Sequence, residues 1–211
     1  MSQEDLFRKF YPDTCRAELR LKQAGYQHIC GVDEVGRGPL AGPVYACALI
    51  LPEEGIPQGI KDSKRISEKK RERLADEIMA VADYGIGVVE PKVIDEINIL
   101  EATKRAMHDA VLALEQEVDF VLVDAVNIPN LDIPQKALVK GDDRSVTIAA
   151  ASIVAKVLRD RLMRHYDEIY PGYGFAQHKG YGTKAHREAI LERGPCPIHR
   201  MSFLTKLLGN R

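Results

Sequence analysis

The stretch at residues 31–51, GVDEVGRGPLAGPVYACALIL, indicates how the chain around it folds. Residues 28–33 are predicted to form a short strand, and residues 43–51 a second, buried strand. Between them, GRGPLA at 36–41 matches the glycine pattern of dinucleotide-binding loops. Such a loop must lead into a helix whose N-terminus holds the pyrophosphate, whereas here two prolines and a β-type run follow. The stretch therefore predicts two strands joined by a loop, and it argues against a dinucleotide site.

Alternating strands and helices continue on both sides of this stretch. We predict further strands over 84–90, 119–124 and 137–140, and helices over 12–24, 67–82, 98–117, 146–170 and 183–194. Residues 173–182 are predicted to form a loop rich in glycine and aromatic residues. This alternation predicts an α/β fold in which helices flank a mixed sheet and additional helices lie at the C-terminus.

Length and composition indicate an ordinary globular chain. Its 211 residues suffice for one domain with its own core. The four cysteines, at positions 15, 30, 47 and 196, lack the CxxC spacing of common zinc sites, and we expect them to be reduced. The first residues include no apolar signal region, and the longest apolar runs are far shorter than the ~20 residues that span a bilayer. We expect a soluble, cytoplasmic protein that has no membrane partner.

Basic residues are concentrated in three segments, although the net charge is only −1. Segments 61–73 and 156–187 each contain seven basic and three acidic residues, and 193–211 contains four basic residues and no acidic one. Any one of these segments is as consistent with a solvated helix face as with a surface that binds a polyanion. Three in one small domain favour a polyanionic partner.

Acidic residues follow three of the predicted strands: Asp33 and Glu34, then Asp124, then Asp142 and Asp143. Ligand sites in α/β sheets form at strand ends, and clustered carboxylates repel one another unless a cation is present. Oxygen ligands select Mg²⁺ or Mn²⁺ over zinc, and two such ions ~4 Å apart can clamp both oxygens of a phosphodiester displacement. Taken singly, each acid is equally consistent with a loop residue or a helix cap.

The glycine loop places accessible backbone next to a cationic side chain. A ligand can approach the backbone closely at Gly36 and Gly38, and Arg37 lies between them. Exposed N–H groups beside a guanidinium suit a phosphate or a sugar hydroxyl. The alternative is a tight turn between two strands.

Seven short motifs follow one another along the chain. They are GVDEVGRGPLAGPV at 31–44, DSK at 62–64, VDAV around Asp124, KGD at 140–142, IAAASIVAKVLRDR at 148–161, HKGYGTKAH at 178–186 and PIHRMSF at 197–203. In these motifs and in their order the sequence resembles the bacterial ribonuclease HII family, whose signature the first motif resembles. The resemblance covers nearly the whole chain, roughly residues 19–203.

This resemblance implies a single RNase H-like catalytic domain over 19–211, preceded by an extension over 1–18. It implies an endonuclease that cuts the RNA strand of RNA–DNA hybrids and incises at ribonucleotides embedded in duplex DNA, using two Mn²⁺ or Mg²⁺ ions. The metal-binding and catalytic acids would be Asp33, Glu34, Asp124 and Asp142. Asp143 is the alternative to Asp142.

The resemblance also implies a set of substrate-binding residues. Arg37, with Gly36 and Gly38, would sense the ribose 2′-OH, Tyr181 would stack beside the junction, and Lys64 would contact a phosphate. Lys179 is a second lysine that could pair with a phosphate. We expect a monomer.

Two other classes of function remain open on the residues alone. One is a nucleic-acid-binding module without activity, whose acids are structural. The other is a metal-dependent nuclease for another substrate, such as DNA junctions. The histidines His178, His186 and His199 lack a zinc pattern, so we expect structural or phosphate-contacting roles, with proton transfer as the alternative.

Overall fold

The computed structural model describes residues 2–61, 63 and 66–209. Its five-stranded sheet has the order β3-β2-β1-β4-β5. The strands are β1 (Ile29–Val35), β2 (Val44–Ile50), β3 (Asp83–Val89), β4 (Phe120–Asp124) and β5 (Gln135–Leu138). The pairs β1–β2 and β2–β3 are antiparallel, whereas β1–β4 and β4–β5 are parallel. The prediction of a mixed sheet is confirmed.

Nine α-helices occur in the described part of the chain. They are α1 (Gln3–Phe10), α2 (Arg16–Gln23), α3 (Glu68–Met79), α4 (Pro91–Ile97), α5 (Ile99–Leu112), α6 (Val146–Ile169), α7 (Phe175–His178), α8 (Lys184–Arg193) and α9 (Met201–Leu208). The sequence pattern correctly predicted the long helix α6 and also α8, whose N-cap is Thr183. It missed α1, α4, α7 and α9, because packing stabilises such short helices more than their own propensity does.

Two predicted helix boundaries are wrong. The helix predicted over 12–24 begins only at Arg16, after an N-cap at Cys15. The helix predicted over 98–117 ends at Leu112. Its N-cap is Asn98, whose side chain accepts hydrogen bonds from two backbone N–H groups of the first turn.

Helices cover both faces of the sheet, with α6 against β1 and β2 and α5 against β2 and β3. Glycines allow this close approach. A Cβ on Gly31 of β1 would lie 2.3 Å from the carbonyl carbon of Thr147, and one on Gly87 of β3 would lie 1.8 Å from the carbonyl oxygen of Ala106. The packing places the C-terminal end of β1 directly beside α6.

The N-terminal helices pack on the rest of the chain. Phe7 and Tyr11 belong to the core that α3 and α6 share with β2. Glu18 of α2 is buried, and its Oε1 accepts hydrogen bonds from the Ser145 hydroxyl at 2.5 Å and the Thr147 hydroxyl at 2.8 Å. Burial raises the pKa of this carboxyl. Glu18 thus joins α2 to the first turn of α6.

All four cysteines are free, as expected from their spacing. Among the residues that the structure describes, every helix is too short or too polar to cross a bilayer.

Candidate active site

Four predicted acids lie together in one cavity. Asp33 and Glu34 are at the C-terminal end of β1, Asp124 ends β4, and Asp142 lies in a short 3-10 turn, Gly141–Asp143, beyond β5. Because β1, β4 and β5 run parallel, their C-terminal ends meet at one edge of the sheet. All four side chains line a cavity of about 250 Å³.

Local hydrogen bonds orient the acids. The backbone N–H of Glu34 donates to Oδ1 of Asp33 at 2.8 Å, and that of Gly141 donates to Oδ1 of Asp124 at 2.7 Å. A guanidinium N–H of Arg37 donates to Oε1 of Glu34 at 3.3 Å. The Gly141 bond connects the end of β4 to the turn that carries Asp142.

Burial and nearby negative charge disfavour the charged forms of Asp33 and Glu34. Burial raises the pKa of Asp33 well above its ordinary value, and the charges of Glu34 and Asp124 raise it further. Burial also raises the pKa of Glu34, and Arg37 opposes that rise. A divalent cation would relieve both effects, and a set of carboxylate oxygens is the donor chemistry that Mg²⁺ and Mn²⁺ prefer. Within the described residues, no three His, Cys, Asp or Glu side chains have ready-made geometry for a single ion.

Among the described residues, two basic side chains also line the cavity, and both have protein partners. Lys156 donates to Oδ1 of Asp160 at 2.6 Å, and burial lowers its pKa. Arg71 donates to the carbonyls of Ser63 and Ile66 at 2.7 and 3.0 Å. Arg71 therefore binds Ser63 and Ile66 at the same time. Lys64 itself lies outside the described residues.

Two buried arginines hold the glycine loop, and sequence reasoning missed this role. Arg159 of α6 donates to the carbonyls of Ala41, Pro43 and Lys179. Arg200 donates to the carbonyls of Gly36, Arg37 and Gly42 at 2.5–3.0 Å. Both side chains are 0% exposed. Gly36 packs against these side chains and has a φ of +95°. A Cβ at this position would lie 2.3 Å from Nε of Arg159.

This arrangement determines which way the loop amides point. The peptide bonds are trans, so the C=O and N–H of one peptide unit point in opposite directions. Because Arg200 binds the carbonyls of Gly36 and Arg37, the N–H groups of Arg37 and Gly38 point away from it. Neither N–H has a protein acceptor in the described part of the chain. Two donors are left for a ligand.

The basic segments are only partly available to a partner. The expectation that 156–187 and 193–211 present their cations to a polyanion is wrong for Arg159 and Arg200, which are buried. Arg161 pairs with Glu72 and Asp76 of α3, both at 2.8 Å. Charge counts along the sequence do not reveal such internal pairing.

Tyr181 lies between the loop and the acids. Its ring lines the carboxylate cavity, 42% of the residue is exposed, and its Cε1 would be 3.7 Å from a Cβ on Gly38. The backbone N–H of Leu40 donates to the carbonyl of Gly180 at 2.8 Å, which joins the two loops. Lys179 is not among the residues that line this cavity, and its amine instead contacts the carbonyl of Ala176.

Behind Tyr181 is a chain of buried histidines. The Cys196 N–H donates to Nδ1 of His199 at 2.9 Å, which leaves the other ring nitrogen of His199 to donate to Nε2 of His186 at 3.1 Å. Nδ1 of His186 then donates to the carbonyl of Tyr181 at 2.9 Å. Burial lowers the pKa of His186 to about 4 and also lowers that of His199. Both rings are therefore neutral at pH 7 and support the Tyr181 loop.

Comparison with known proteins decides the family. The model of the family described as Ribonuclease HII matches residues 30–206. The chain belongs to the ribonuclease HII family. It is a metal-dependent endoribonuclease with the RNase H-like fold, as the resemblance implied.

Individual relatives agree along most of their length. The chain is 52% identical over 201 residues to a ribonuclease HII from Caldanaerobacter subterraneus subsp. tengcongensis, which covers 95% of this chain and 81% of the relative. It is 55% identical over 192 residues to a ribonuclease HII from Caldicellulosiruptor saccharolyticus, and this alignment covers 90% of this chain and 94% of the relative. Among solved structures, the PCNA:RNase HII complex from Archaeoglobus fulgidus matches with a TM-score of 0.72 and 26% identity, covering 87% of this chain and 98% of that one.

Proposed function

We propose that this protein hydrolyses the RNA strand of RNA–DNA hybrids and incises duplex DNA at single embedded ribonucleotides. The observation that carries the proposal is the pair of outward N–H groups on Arg37 and Gly38, beside the cavity of acids. All of these groups belong to one chain, so we propose that a monomer acts, in the cytoplasm where its nucleic-acid substrates are.

Asp33, Glu34, Asp124 and Asp142 would hold two divalent ions, Mg²⁺ or Mn²⁺. When bound, such ions stabilise the attacking and leaving oxygens of a phosphodiester hydrolysis. Asp142 is preferred over Asp143 because Asp142 is the one that lines the cavity.

The glycine loop would recognise the ribose. A 2′-OH distinguishes RNA from DNA at any base, and the N–H groups of Arg37 and Gly38 can donate to it without reading sequence. Tyr181 would pack against the neighbouring sugar and hold the scissile phosphate over the acids. Lys64 and Lys179 would contact flanking phosphates.

Binding alone is too weak to find one ribonucleotide in a long duplex. A hydroxyl that satisfies a buried partner contributes roughly 1–3 kcal/mol, which corresponds to about ten- to a hundredfold discrimination. The 2′-OH must therefore also act in the chemical step, by completing the geometry in which the phosphate reacts.

The decisive assay compares three duplexes in Mg²⁺ or Mn²⁺: one with a single ribonucleotide, one all-DNA, and one RNA–DNA hybrid. We expect cuts in the first and third and none in the second, and no cuts with Asp124→Asn. Equal cutting of the all-DNA duplex would contradict the proposal.

Tyr181 gives a second readout under single-turnover conditions. Tyr181→Ala should slow cleavage of the single-ribonucleotide duplex much more than it weakens equilibrium binding, and Tyr181→Phe, which keeps the ring, should recover most of the rate. Equal losses in rate and affinity would leave Tyr181 as an ordinary contact residue.

A further inference from the structure

A second cavity, of about 350 Å³, lies between α2 and the edge of the sheet formed by β4 and β5. Its rim has four basic side chains, Arg16 and Arg20 of α2, Lys136 of β5, and Arg144. We name it the α2 cleft. None of these four residues belongs to the three basic segments of the sequence.

The α2 cleft has a strong excess of positive charge. All four basic residues are exposed, and Asp13 is the one acidic residue among the described residues of the lining. In the described part of the chain none of the four forms a salt bridge, unlike Arg161 and Arg164 on α6. Their charges are therefore available to an anionic ligand.

The cations are presented from fixed positions. Arg16 and Arg20 are four residues apart and so project from the same face of α2. Glu18, between them, is buried against the first turn of α6 through Ser145 and Thr147. The helix cannot move away without breaking these buried hydrogen bonds.

The cleft and the carboxylate cavity lie on the same face of the sheet. Leu122 lines the cleft and Asp124 lines the cavity. Two residues apart on β4, they point to one face and are about 7 Å apart along the strand. Arg144 directly follows the turn Gly141–Asp143 that contains Asp142. A duplex seated on the acids would therefore pass close to the cleft.

We propose that the α2 cleft binds the phosphate backbone of the duplex on one side of the cleavage site. The charges suit a polyanion, and the apolar part of the lining, which includes Leu122 and Leu138, forms no hydrogen bonds to base edges. This inference rests on the proposed function in one respect, the position of the duplex over the acids. It assigns a substrate-binding role to α2, which is outside the acids and the glycine loop.

The test is a salt titration of binding to an all-DNA duplex without divalent ions, by fluorescence anisotropy. The variant is Arg16→Gln/Arg20→Gln, and the matched control is Arg161→Gln/Arg164→Gln, which changes the net charge equally. Losing two phosphate contacts should reduce the magnitude of the log–log salt slope by about 2 and raise Kd about tenfold or more at 0.1 M salt. The control should change Kd less than twofold.

Two further measurements separate this inference from the proposed function. The maximal cleavage rate of the Arg16→Gln/Arg20→Gln variant at saturating single-ribonucleotide duplex should match that of the wild type. The second measurement uses duplexes shortened on one side or the other of the ribonucleotide. The loss of affinity in the Arg16→Gln/Arg20→Gln variant should depend on only one of the two arms of the duplex. A wild-type salt slope, an equal loss in the control, or equal sensitivity of both arms would overturn the cleft assignment, whereas absence of cleavage by the wild type would overturn only the proposed function.

Discussion

Replacement of Arg200 by methionine tests whether its guanidinium holds the glycine loop. Met has a similar length and leaves the carbonyls of Gly36, Arg37 and Gly42 without their donors. Each unpaired buried acceptor costs about 1–3 kcal/mol, or about 3–9 kcal/mol for the three together.

An opposing effect follows from the charge itself. Burial, with the nearby charge of Arg159, lowers the pKa of Arg200 well below its ordinary value, to about 9. A shift of that size corresponds to about 5 kcal/mol, which Met recovers because it removes the buried cation. The net change in unfolding free energy should therefore lie between a gain of about 2 kcal/mol and a loss of about 4 kcal/mol.

Arg200→Lys should be less stable than Arg200→Met. It keeps a buried charge, but a compact ammonium cannot reach three carbonyls as the planar guanidinium does. The control is Arg161→Met, which removes a partly exposed pair with Glu72 and Asp76 and should cost at most about 1 kcal/mol.

Urea unfolding gives the stabilities, and single-turnover cleavage of the single-ribonucleotide duplex gives the activity. Both Arg200 variants should lose more than about a hundredfold in rate, because a misplaced reacting group costs that much even where the fold survives. A wild-type rate in Arg200→Met, or a wild-type rate in Arg200→Lys, would refute the inference that the guanidinium of Arg200 holds the glycine loop in its active position.

Three further predictions concern the glycine loop, the histidines and the acids. Gly38→Ala should keep the wild-type melting temperature, since its Cβ fits beside Tyr181, but it should slow cleavage. Gly36→Ala should unfold at a lower temperature because this residue has a positive φ and its Cβ would contact a guanidinium. Equal melting temperatures of the two variants would contradict this prediction. The pKa of His186 is about 4 when folded and 6.5 ordinarily, so the unfolded state binds the proton first as pH falls. Stability should be full above pH 6.5 and decline by up to about 3 kcal/mol toward pH 4. His186→Asn should flatten the decline measured by urea unfolding, and an unchanged profile would count against the buried neutral ring. Asp124→Asn should abolish cleavage while leaving the metal-free melting temperature equal or higher, because it removes a repelling charge; a large fall would make Asp124 structural.

Local sequence signals were sufficient for the sheet and for the acids. Hydrophobic runs predicted all five strands, although β5 (Gln135–Leu138) begins and ends two residues before its predicted range of 137–140. Asp33, Glu34 and Asp124 were recognisable because acids follow several buried strands, although any one of them taken singly could have been a loop residue or a helix cap. Their meeting in one cavity needed only the parallel pairing of β1 with β4.

The roles of the arginines depended on tertiary structure. In the sequence, Arg159 and Arg200 are two of many cations in basic segments, but in the fold both are buried and hold a loop that precedes them by 116 and 164 residues. Arg16 and Arg144 meet in the α2 cleft although 128 residues separate them. Whether a guanidinium is buried, paired or available depends on which distant groups face it, and no pattern of neighbouring residues contains that information.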